Sequence, residues 1–345
     1  MKAAIVERPG ELVVRDVPVP EVGEYGVLCR LLYGATCTGT DRHIIAGEMH
    51  FPIPYPCVLG HESVGVAVEV GPRVRHFRPG DLITRVGAPP DADGRYGIAW
   101  GGYAEYGLAQ DHRAMREDGL PPERWHGSRV NQRVPDGIAP ATATMIITWR
   151  ETFSYITRLG VGAGHAVLVI GSGGNALAFA AHAHNLGAGP VVMAGQPGRE
   201  PNAKAVGADA LFDYRDADPA GGIAEAYPDG FDYLIDAVGK RGQVDRVLPT
   251  LKPGGAIGIY GVDDFHHVAI NPRRARGSFT FIEKGYDEEE AHARVVGFVQ
   301  AGVLEASAWF DSKRAYPLEA IKEAFDALAR RETVKALIRL SSGLD

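Results

Sequence analysis

Short hydrophobic runs interrupted by Gly and Pro fill the first part of the chain, from residue 1 to about residue 110. Many of the hydrophobic positions are β-branched, and this combination is typical of strands separated by turns. The pattern predicts an all-β lobe, with strands at AAIVE, LVVRDV, GVLCRLLYGA, SVGVAVEVG, DLITRVG and YAEYGLA.

The following segment is less regular. Residues 85–135 are rich in Pro, Gly and charge, and this composition predicts a surface loop near the mouth of an active site. From Ala139 to Leu159 the pattern becomes helical, and Gly160 stands where such a helix would end.

An alternation of strand-like and helix-like segments begins at Ala166. VLVI is a continuous apolar run like that of a strand buried on both faces, and ALAFAAHAHNLGA after it is a helix of small residues. The alternation is typical of a parallel sheet covered by helices and joined by right-handed crossovers. Further strands are predicted at PVVMAG, ALFDY, FDYLIDAVG and GAIGIYG.

The tail, from about Gly277, contains two helical stretches, EEEAHARVVGFVQAG and PLEAIKEAFDALARRE. It ends in the strand-like run VKALIRL. We expect this last strand to return to the first domain.

Length and charge narrow the possible functions. A chain of 345 residues exceeds the size at which one core usually stops growing, so two domains are expected. A net charge of -7 argues against a nucleic-acid partner, and no run of about 18 apolar residues could cross a membrane. The three cysteines give no disulfide framework and suit a reducing compartment. We expect a cytoplasmic protein.

A glycine-rich turn follows VLVI directly and opens the next helix, as a dinucleotide-binding fingerprint requires. Its first glycine permits a tight turn, Gly173 lets the backbone approach a pyrophosphate, and Ala176 allows close packing of helix on sheet. The helix N-terminus adds partial positive charge for the phosphates. The candidate cofactor-binding residues are Gly171, Ser172, Gly173, Gly174 and Asn175.

The end of the second strand of this region bears on the choice between NAD and NADP. An acidic residue there normally binds the adenosine ribose, but this chain has Ala194-Gly195-Gln196, with Arg199 beyond. Without a carboxylate a 2′-phosphate is not repelled, and Arg199 could pair with it, which favours NADP. Arg199 could also be a solvated loop charge or stack on the adenine of NAD.

Cys37, His43, His61 and Glu62 bring together the ligand types that zinc takes, with carboxylates nearby. The spacing alone is only suggestive, because a single His or Cys is more often a packed core residue. A second group of motifs strengthens the interpretation.

These motifs occur along nearly the whole chain. They are Gly60-His61-Glu62-Ser63-Val64-Gly65; the spaced positions Val70, Gly71, Val74, Phe77, Gly80 and Asp81; Gly101-Gly102-Tyr103-Ala104-Glu105-Tyr106; Gly207-Ala208-Asp209; Asp236-Ala237-Val238-Gly239; and Leu251-Lys252-Pro253-Gly254-Gly255. Together they resemble the medium-chain dehydrogenases/reductases of the zinc-containing alcohol and polyol dehydrogenase type.

The resemblance implies a fold class of α/β plus β. A GroES-like catalytic domain would consist of residues 1–150 and 277–345, and a Rossmann doubly wound parallel sheet would be inserted at residues 151–276. Val238 is a further candidate contact to the cofactor.

The same resemblance implies roles for residues around Cys37. Thr40 would hydrogen-bond the substrate hydroxyl, His43 would pass its proton towards solvent, and Asp41 would orient a ligand imidazole. Thr40 and Asp41 could instead cap a turn, and His43 could be a surface residue. The cysteine stands three residues before the Thr and six before the His, one more than is usual in the family, and Gly39 makes the extra residue easy to absorb.

Cys37 and His61 would be zinc ligands, and Glu62 a ligand in some states or a carboxylate beside the metal. The family's third ligand falls at Ile146 or Ile147, which cannot coordinate a metal. Glu151 lies one helical turn later and could replace it, or it could pair with a neighbouring arginine instead.

The resemblance implies reversible oxidation of a secondary alcohol to a ketone. One catalytic zinc per chain is expected, because residues 85–135 lack the cysteines of a structural zinc lobe. We expect a polar substrate such as a polyol, sugar or cyclitol, and a homodimer or homotetramer. Two alternatives stay open: a zinc-free quinone or enone reductase of the same superfamily, and a dinucleotide-binding protein without catalysis.

Overall fold

The computed structural model describes residues 1–265 and 267–341. By their contacts, the residues form two compact units. The first consists of Met1–Thr148 and the segment from Glu288 onward, and the second is the continuous stretch Trp149–Asp287. The domain limits drawn from the sequence stay a prediction.

The strands and helices are numbered here in chain order. The strands are β1 (Lys2–Arg8), β2 (Glu11–Asp16), β3 (Gly26–Ala35), β4 (Cys57–Val58), β5 (Ser63–Val70), β6 (Leu82–Thr84), β7 (Gly97–Ile98), β8 (Tyr106–Gln110), β9 (Arg133–Val134), β10 (Val167–Ile170), β11 (Val191–Gly195), β12 (Ala210–Asp213), β13 (Phe231–Asp236), β14 (Leu251–Ile259), β15 (Thr280–Phe281), β16 (Ala315–Pro317) and β17 (Leu337–Arg339). The helices are α1 (Thr40–Ala46), α2 (His112–Glu117), α3 (Pro122–Trp125), α4 (Pro140–Ala143), α5 (Met145–Leu159), α6 (Gly174–Asn185), α7 (Glu200–Ala205), α8 (Pro219–Ala226), α9 (Gln243–Val247), α10 (Glu288–Gln300) and α11 (Ile321–Ala329).

The first unit is built on two sheets. One has the order β2-β1-β4-β7, and the other has the order β16-β17-β3-β5-β6-β9, with β8 paired to β3. Apolar side chains of β1, β3 and β5 share one core with those of β4 and α11. The predicted all-β lobe is therefore present.

The last strand completes the central sheet of this unit. Leu337 of β17 pairs antiparallel with Ala35 of β3, and Arg339 pairs with Tyr33. The prediction that the C-terminal strand returns to the first domain is confirmed.

The second unit contains a parallel sheet of the order β12-β11-β10-β13-β14-β15. All five pairings are parallel, and the four residues of β10 are fully buried, which explains their uninterrupted apolar run. Counted within the unit, the order is 3-2-1-4-5-6, that of a doubly wound dinucleotide-binding sheet. The predicted fold class is confirmed.

The interpretation of residues 85–135 as a surface loop is wrong. The segment contains β7, β8 and the short helices α2 and α3, and Val86, Ala88 and Tyr103 belong to the buried core. Helices of four to six residues are too short to show a hydrophobic period, and the Gly and Pro residues mark tight turns between packed pieces. The helix α1 was also not predicted.

No helix in the described part of the chain combines the length and the apolar character that crossing a bilayer requires.

His182 makes the second unit sensitive to acid. The side chain is fully buried in α6, its Nε2 lies 3.1 Å from Thr152 Oγ1, and burial lowers its pKa to about 3. The unfolded chain then binds a proton that the folded chain excludes, so stability is present above pH 6.5 and is lost as the pH falls towards 3.

We expect His182→Gln to remove this dependence. The wild type should lose about 1.4 kcal/mol more than the variant for each pH unit below about 6.5. Urea unfolding of both proteins between neutral and mildly acidic pH measures the difference. A constant difference across that range would contradict the prediction.

Candidate active site

The turn before α1 is built around the carboxylate of Asp41. Asp41 is fully buried, and its Oδ2 accepts hydrogen bonds from the Cys37 backbone N–H at 2.9 Å and from Tyr103 Oη at 2.7 Å. Tyr103 stays neutral, because burial and the Asp41 charge raise its pKa well above its usual range. These two bonds fix the position of the Cys37 thiol relative to the helix.

His61 and Glu62 lie directly before β5. Gly60, at φ +102°, leaves no room for a side chain, since an added Cβ would lie 2.5 Å from the Tyr103 ring. The His61 carbonyl accepts a hydrogen bond from Arg85 Nη1 at 2.8 Å, and His61 Nδ1 lies 3.3 Å from Asp41 Oδ1. His61 is thus held both at its backbone carbonyl and at its ring nitrogen.

Cys37, His61 and Glu62 form the one group among the described residues whose side chains could hold a metal ion together. Their ligand atoms lie within 4.8 Å of one another, and all three side chains are buried. Sulfur, nitrogen and oxygen donors in this combination suit zinc, and three protein ligands leave a fourth position for water or substrate. The residues therefore fit a catalytic metal ion.

The electrostatics of this group favour a cation. Burial alone would lower the pKa of His61, but hydrogen bonds and charges from Asp41 and Cys37 outweigh it and raise the pKa well above the usual range. A metal ion bound here would replace the proton that the imidazole otherwise attracts.

Glu62 has a second cation beside it. Lys335 Nζ lies 2.6 Å and 2.5 Å from the two carboxylate oxygens, and it also donates to the Thr36 carbonyl at 3.1 Å. Thr148 Oγ1 donates to Glu62 Oε1 at 2.9 Å. The pKa of Lys335 is lowered by burial but raised more by Glu62 and nearby acidic groups, so the ammonium stays charged. A metal ion at this site would therefore share the Glu62 carboxylate with Lys335.

Thr40 and His43 lie on α1 beside this group. Thr40 Oγ1 is 3.7 Å from Cys37 Sγ, and the half-buried His43 has its Nδ1 3.4 Å from the exposed Glu48 carboxylate. Thr40 is therefore near the candidate metal position, and His43 contacts an exposed acidic group. Their catalytic roles stay predictions.

The residues at the family's third-ligand position do not supply a donor. Ile146 and Ile147 are fully buried, and Thr148 after them binds Glu62. Glu151 lies in the second unit, is buried and accepts a hydrogen bond from Tyr260 Oη at 2.9 Å. Its role as a ligand stays a prediction.

Three residues that contact the metal-binding group were not predicted from the sequence: Arg85, Trp100 and Lys335. Arg85 and Trp100 have φ of 61° and 65°, a conformation that bulky side chains adopt at a cost of about 1–3 kcal/mol. The Trp100 ring lies 5.3 Å from the His61 ring. A lysine inside the apolar run VKALIRL was a usable signal, because buried lysines almost always have a partner. No pattern marked the other two.

The glycine-rich turn lies where β10 ends, at the point where the strand order reverses. Gly171 has φ +118°, and an added Cβ there would lie 3.0 Å from Val238 Cγ2, so the turn and the D-A-V-G motif adjoin. A Cβ on Gly173 would meet nothing within 4 Å. Packing within the protein therefore does not require Gly173, whereas a phosphate approaching the start of α6 would.

Gly195, the last residue of β11, has no space for a side chain. A Cβ on Gly195 would lie 2.6 Å from Ser172 Cβ, and the Gln196 N–H donates to Ser172 Oγ at 3.0 Å. Arg199 follows, partly buried, directly before α7. Packing thus excludes a carboxylate at position 195.

Comparison with known proteins accords with this geometry. Residues 23–119 match the alcohol dehydrogenase GroES-like domain, and residues 174–283 match the zinc-binding dehydrogenase domain. Sorbitol dehydrogenase of Ovis aries is 30% identical over 279 residues, which cover 75% of this chain and 74% of that protein. The chain belongs to the zinc-containing medium-chain dehydrogenase/reductase family. As a member of that family it is an oxidoreductase.

Solved structures share the fold over nearly the whole chain. A protein of Sinorhizobium meliloti 1021, described as a zinc-binding dehydrogenase bound to NADP, has a TM-score of 0.79 and 26% identity and covers 98% of each chain. Benzyl alcohol dehydrogenase from Acinetobacter calcoaceticus has a TM-score of 0.82 at 16% identity and covers 99% of each chain, which shows the fold alone.

Proposed function

We propose that this dehydrogenase oxidises a secondary alcohol of the polyol, sugar or cyclitol type to a ketone with NADP, using one zinc ion held by Cys37, His61 and Glu62. The observation that carries the proposal is the convergence of these three buried side chains, with Asp41 bound to the Cys37 backbone N–H and beside the His61 ring. A zinc-free reductase would not need such a donor set.

In this proposal, residues of the first unit would help the substrate hydroxyl to lose its proton and would carry that proton away. Zinc at this site would supply a Lewis acid that lowers the pKa of a substrate hydroxyl towards neutrality. Thr40 would accept a hydrogen bond from that hydroxyl, and His43 would carry the released proton towards Glu48 and solvent. Asp41 and Arg85 would keep the imidazole of His61 in one orientation.

The second unit would bind the dinucleotide. NADP supplies the hydride acceptor. The turn from Gly171 to Asn175 and the start of α6 would hold its pyrophosphate, with Val238 beside them. Gly195 offers no carboxylate to repel a 2′-phosphate, and Arg199, four residues later, would pair with one. NADP is therefore favoured over NAD.

Two observations support a polar alcohol. Sorbitol dehydrogenase of Ovis aries, the relative with 30% identity, is named for a polyol. The donor set includes a carboxylate, Glu62, and a second acidic residue, Asp41, lies beside the ligand His61. We further propose a homodimer or homotetramer, for which the short edge strand β15 is a candidate contact.

The proposal is tested by measuring zinc content together with turnover of the purified full-length protein. We expect close to one zinc per chain and formation of NADPH that depends on added polyols, sugars or cyclitols, with a lower KM for NADP than for NAD. Removal of zinc by a chelator should abolish turnover, and added zinc should restore it. Full activity in zinc-depleted protein, or reduction of quinones or enones without zinc, would overturn the proposal.

A further inference from the structure

Trp100 lies on one side of the metal-binding group. Its indole ring centroid is 5.3 Å from that of His61, at an angle of 55° between the planes. The imidazole is 7% exposed, whereas the indole is 43% exposed. One part of the indole therefore contacts a candidate metal ligand while another part is open to solvent.

The backbone holds Trp100 in this place at a cost. Its φ of 65° lies in the left-handed region, which a bulky side chain rarely adopts. The adjacent segment of the same chain makes room for this conformation with a glycine. A Cβ on Gly87 would lie 2.1 Å from the Trp100 carbonyl oxygen. The next residue, Gly101, accepts a hydrogen bond from the Ala88 N–H at 2.9 Å.

The packing of the first unit does not explain this arrangement. A glycine would adopt the same backbone without strain, and a large apolar side chain that stays 43% exposed contributes less to the core than a buried one. Of the described tryptophans, Trp149 and Trp309 are buried and Trp125 is partly buried. Residues strained in this way cluster at sites that bind or react.

The chemistry of an exposed indole selects among alcohols. Its face is flat, apolar and electron-rich, and it attracts groups that carry positive charge at their edge. The carbon-bound hydrogens on one face of a polyhydroxylated ring have this character, and the ring presents several of them together. A linear alditol must first give up rotational freedom to present a comparable surface.

We propose that Trp100 forms one wall of the substrate site, and that the substrate is a cyclic polyhydroxylated alcohol whose C–H face stacks on the indole. The inference rests on the proposed function and narrows its substrate class. Trp100 would determine specificity, and the hydrogen-bonding residues of the site would act on any alcohol.

The experiment compares the wild type, Trp100→Gly and Trp100→Phe in the zinc-loaded full-length protein. Cyclic alcohols (D-glucose, myo-inositol) and linear ones (D-sorbitol, D-arabinitol) are the probes. We expect the wild type to prefer the cyclic group. Trp100→Gly should raise the KM for cyclic alcohols by about tenfold and change that for linear alcohols by less than about twofold. Trp100→Phe should retain part of the preference.

Thermal unfolding separates binding from support of the fold. Trp100→Gly relieves the left-handed backbone but loses the ring contact with His61 and adds freedom to the unfolded chain, so its Tm should stay within about 5 °C of the wild type. Arg331→Gly is the matched control, because Arg331 has φ of 63° elsewhere in the first unit and its removal should leave both KM values unchanged. Cyclic alcohols should also quench tryptophan fluorescence in Trp125→Phe but not in Trp100→Phe.

The outcomes distinguish this inference from the proposed function. Equal KM changes for cyclic and linear alcohols in Trp100→Gly, or a wild type that prefers linear ones, would overturn the inference and leave the dehydrogenase activity standing. A Tm lowered by more than about 5 °C with unchanged KM would assign Trp100 to the fold alone and also overturn it. A wild type that oxidises no alcohol would refute the proposed function, and absence of quenching by the cyclic probes would then overturn the inference as well.

Discussion

Cys37→Ser should lose turnover and zinc while keeping its affinity for NADP. A serine hydroxyl is a much weaker metal ligand than a thiolate, and only two strong donors would remain at the site. We expect turnover to fall by more than about 100-fold, because even residues that merely orient a ligand are worth about 10–100-fold. Turnover, zinc per chain and NADPH binding by fluorescence titration are the three measurements.

Cys57→Ser is the matched control for this variant. Cys57 is equally a buried thiol of the first unit, but it lies in β4 and belongs to the apolar core. It should retain its zinc and its turnover and lose only some stability. Cys37→Ser with the zinc content and turnover of the wild type would refute the assignment of the metal site.

Lys335→Met should destabilise the metal-free protein by about 3–5 kcal/mol, because it leaves the Glu62 carboxylate buried without its cation. Both side chains are nearly inaccessible to solvent, so water cannot compensate. Zinc should then raise the Tm of the variant more than that of the wild type, since the metal ion would replace the positive charge that Lys335 places beside Glu62. Chemical and thermal unfolding with and without zinc measure both effects.

The double variant Lys335→Met with Glu62→Gln supplies the control. Removing both charges should recover much of the lost stability in the metal-free protein, and the coupling energy then reports the pair itself. A double variant that is less stable by the sum of the two single losses would show that the ion pair contributes nothing. Lys335 would then act only through its packing and its bond to the Thr36 carbonyl.

The fold could be predicted from the sequence wherever the hydrophobic pattern was long enough to be periodic. The strand VLVI, the helix after it and the returning strand VKALIRL all occur at the expected places. The segment between residues 85 and 135 could not be predicted, because its pieces are short and its core residues are held by turns whose geometry is set by distant contacts.

The candidate site divides in the same way. Cys37, His61 and Glu62 belong to short contiguous sequence motifs, and the structure brings their side chains together. Asp41 is four residues from Cys37 and was predicted, but the other residues that orient the group lie farther away along the chain. Arg85 binds the His61 carbonyl and Lys335 binds Glu62 across 273 positions, and no local pattern encodes such a meeting.

The pairing of β17 with β3 has a consequence for how the protein is made. The second unit is one continuous stretch of chain, whereas the central sheet of the first unit pairs a strand before that stretch with one after it, so β3 lacks β17 until the whole second unit has been synthesised. Lys335 also reaches Glu62 only then. A nascent chain that has not reached β17 would present the open edge of β3 and a Glu62 carboxylate without Lys335, so the first unit completes its core later than the second.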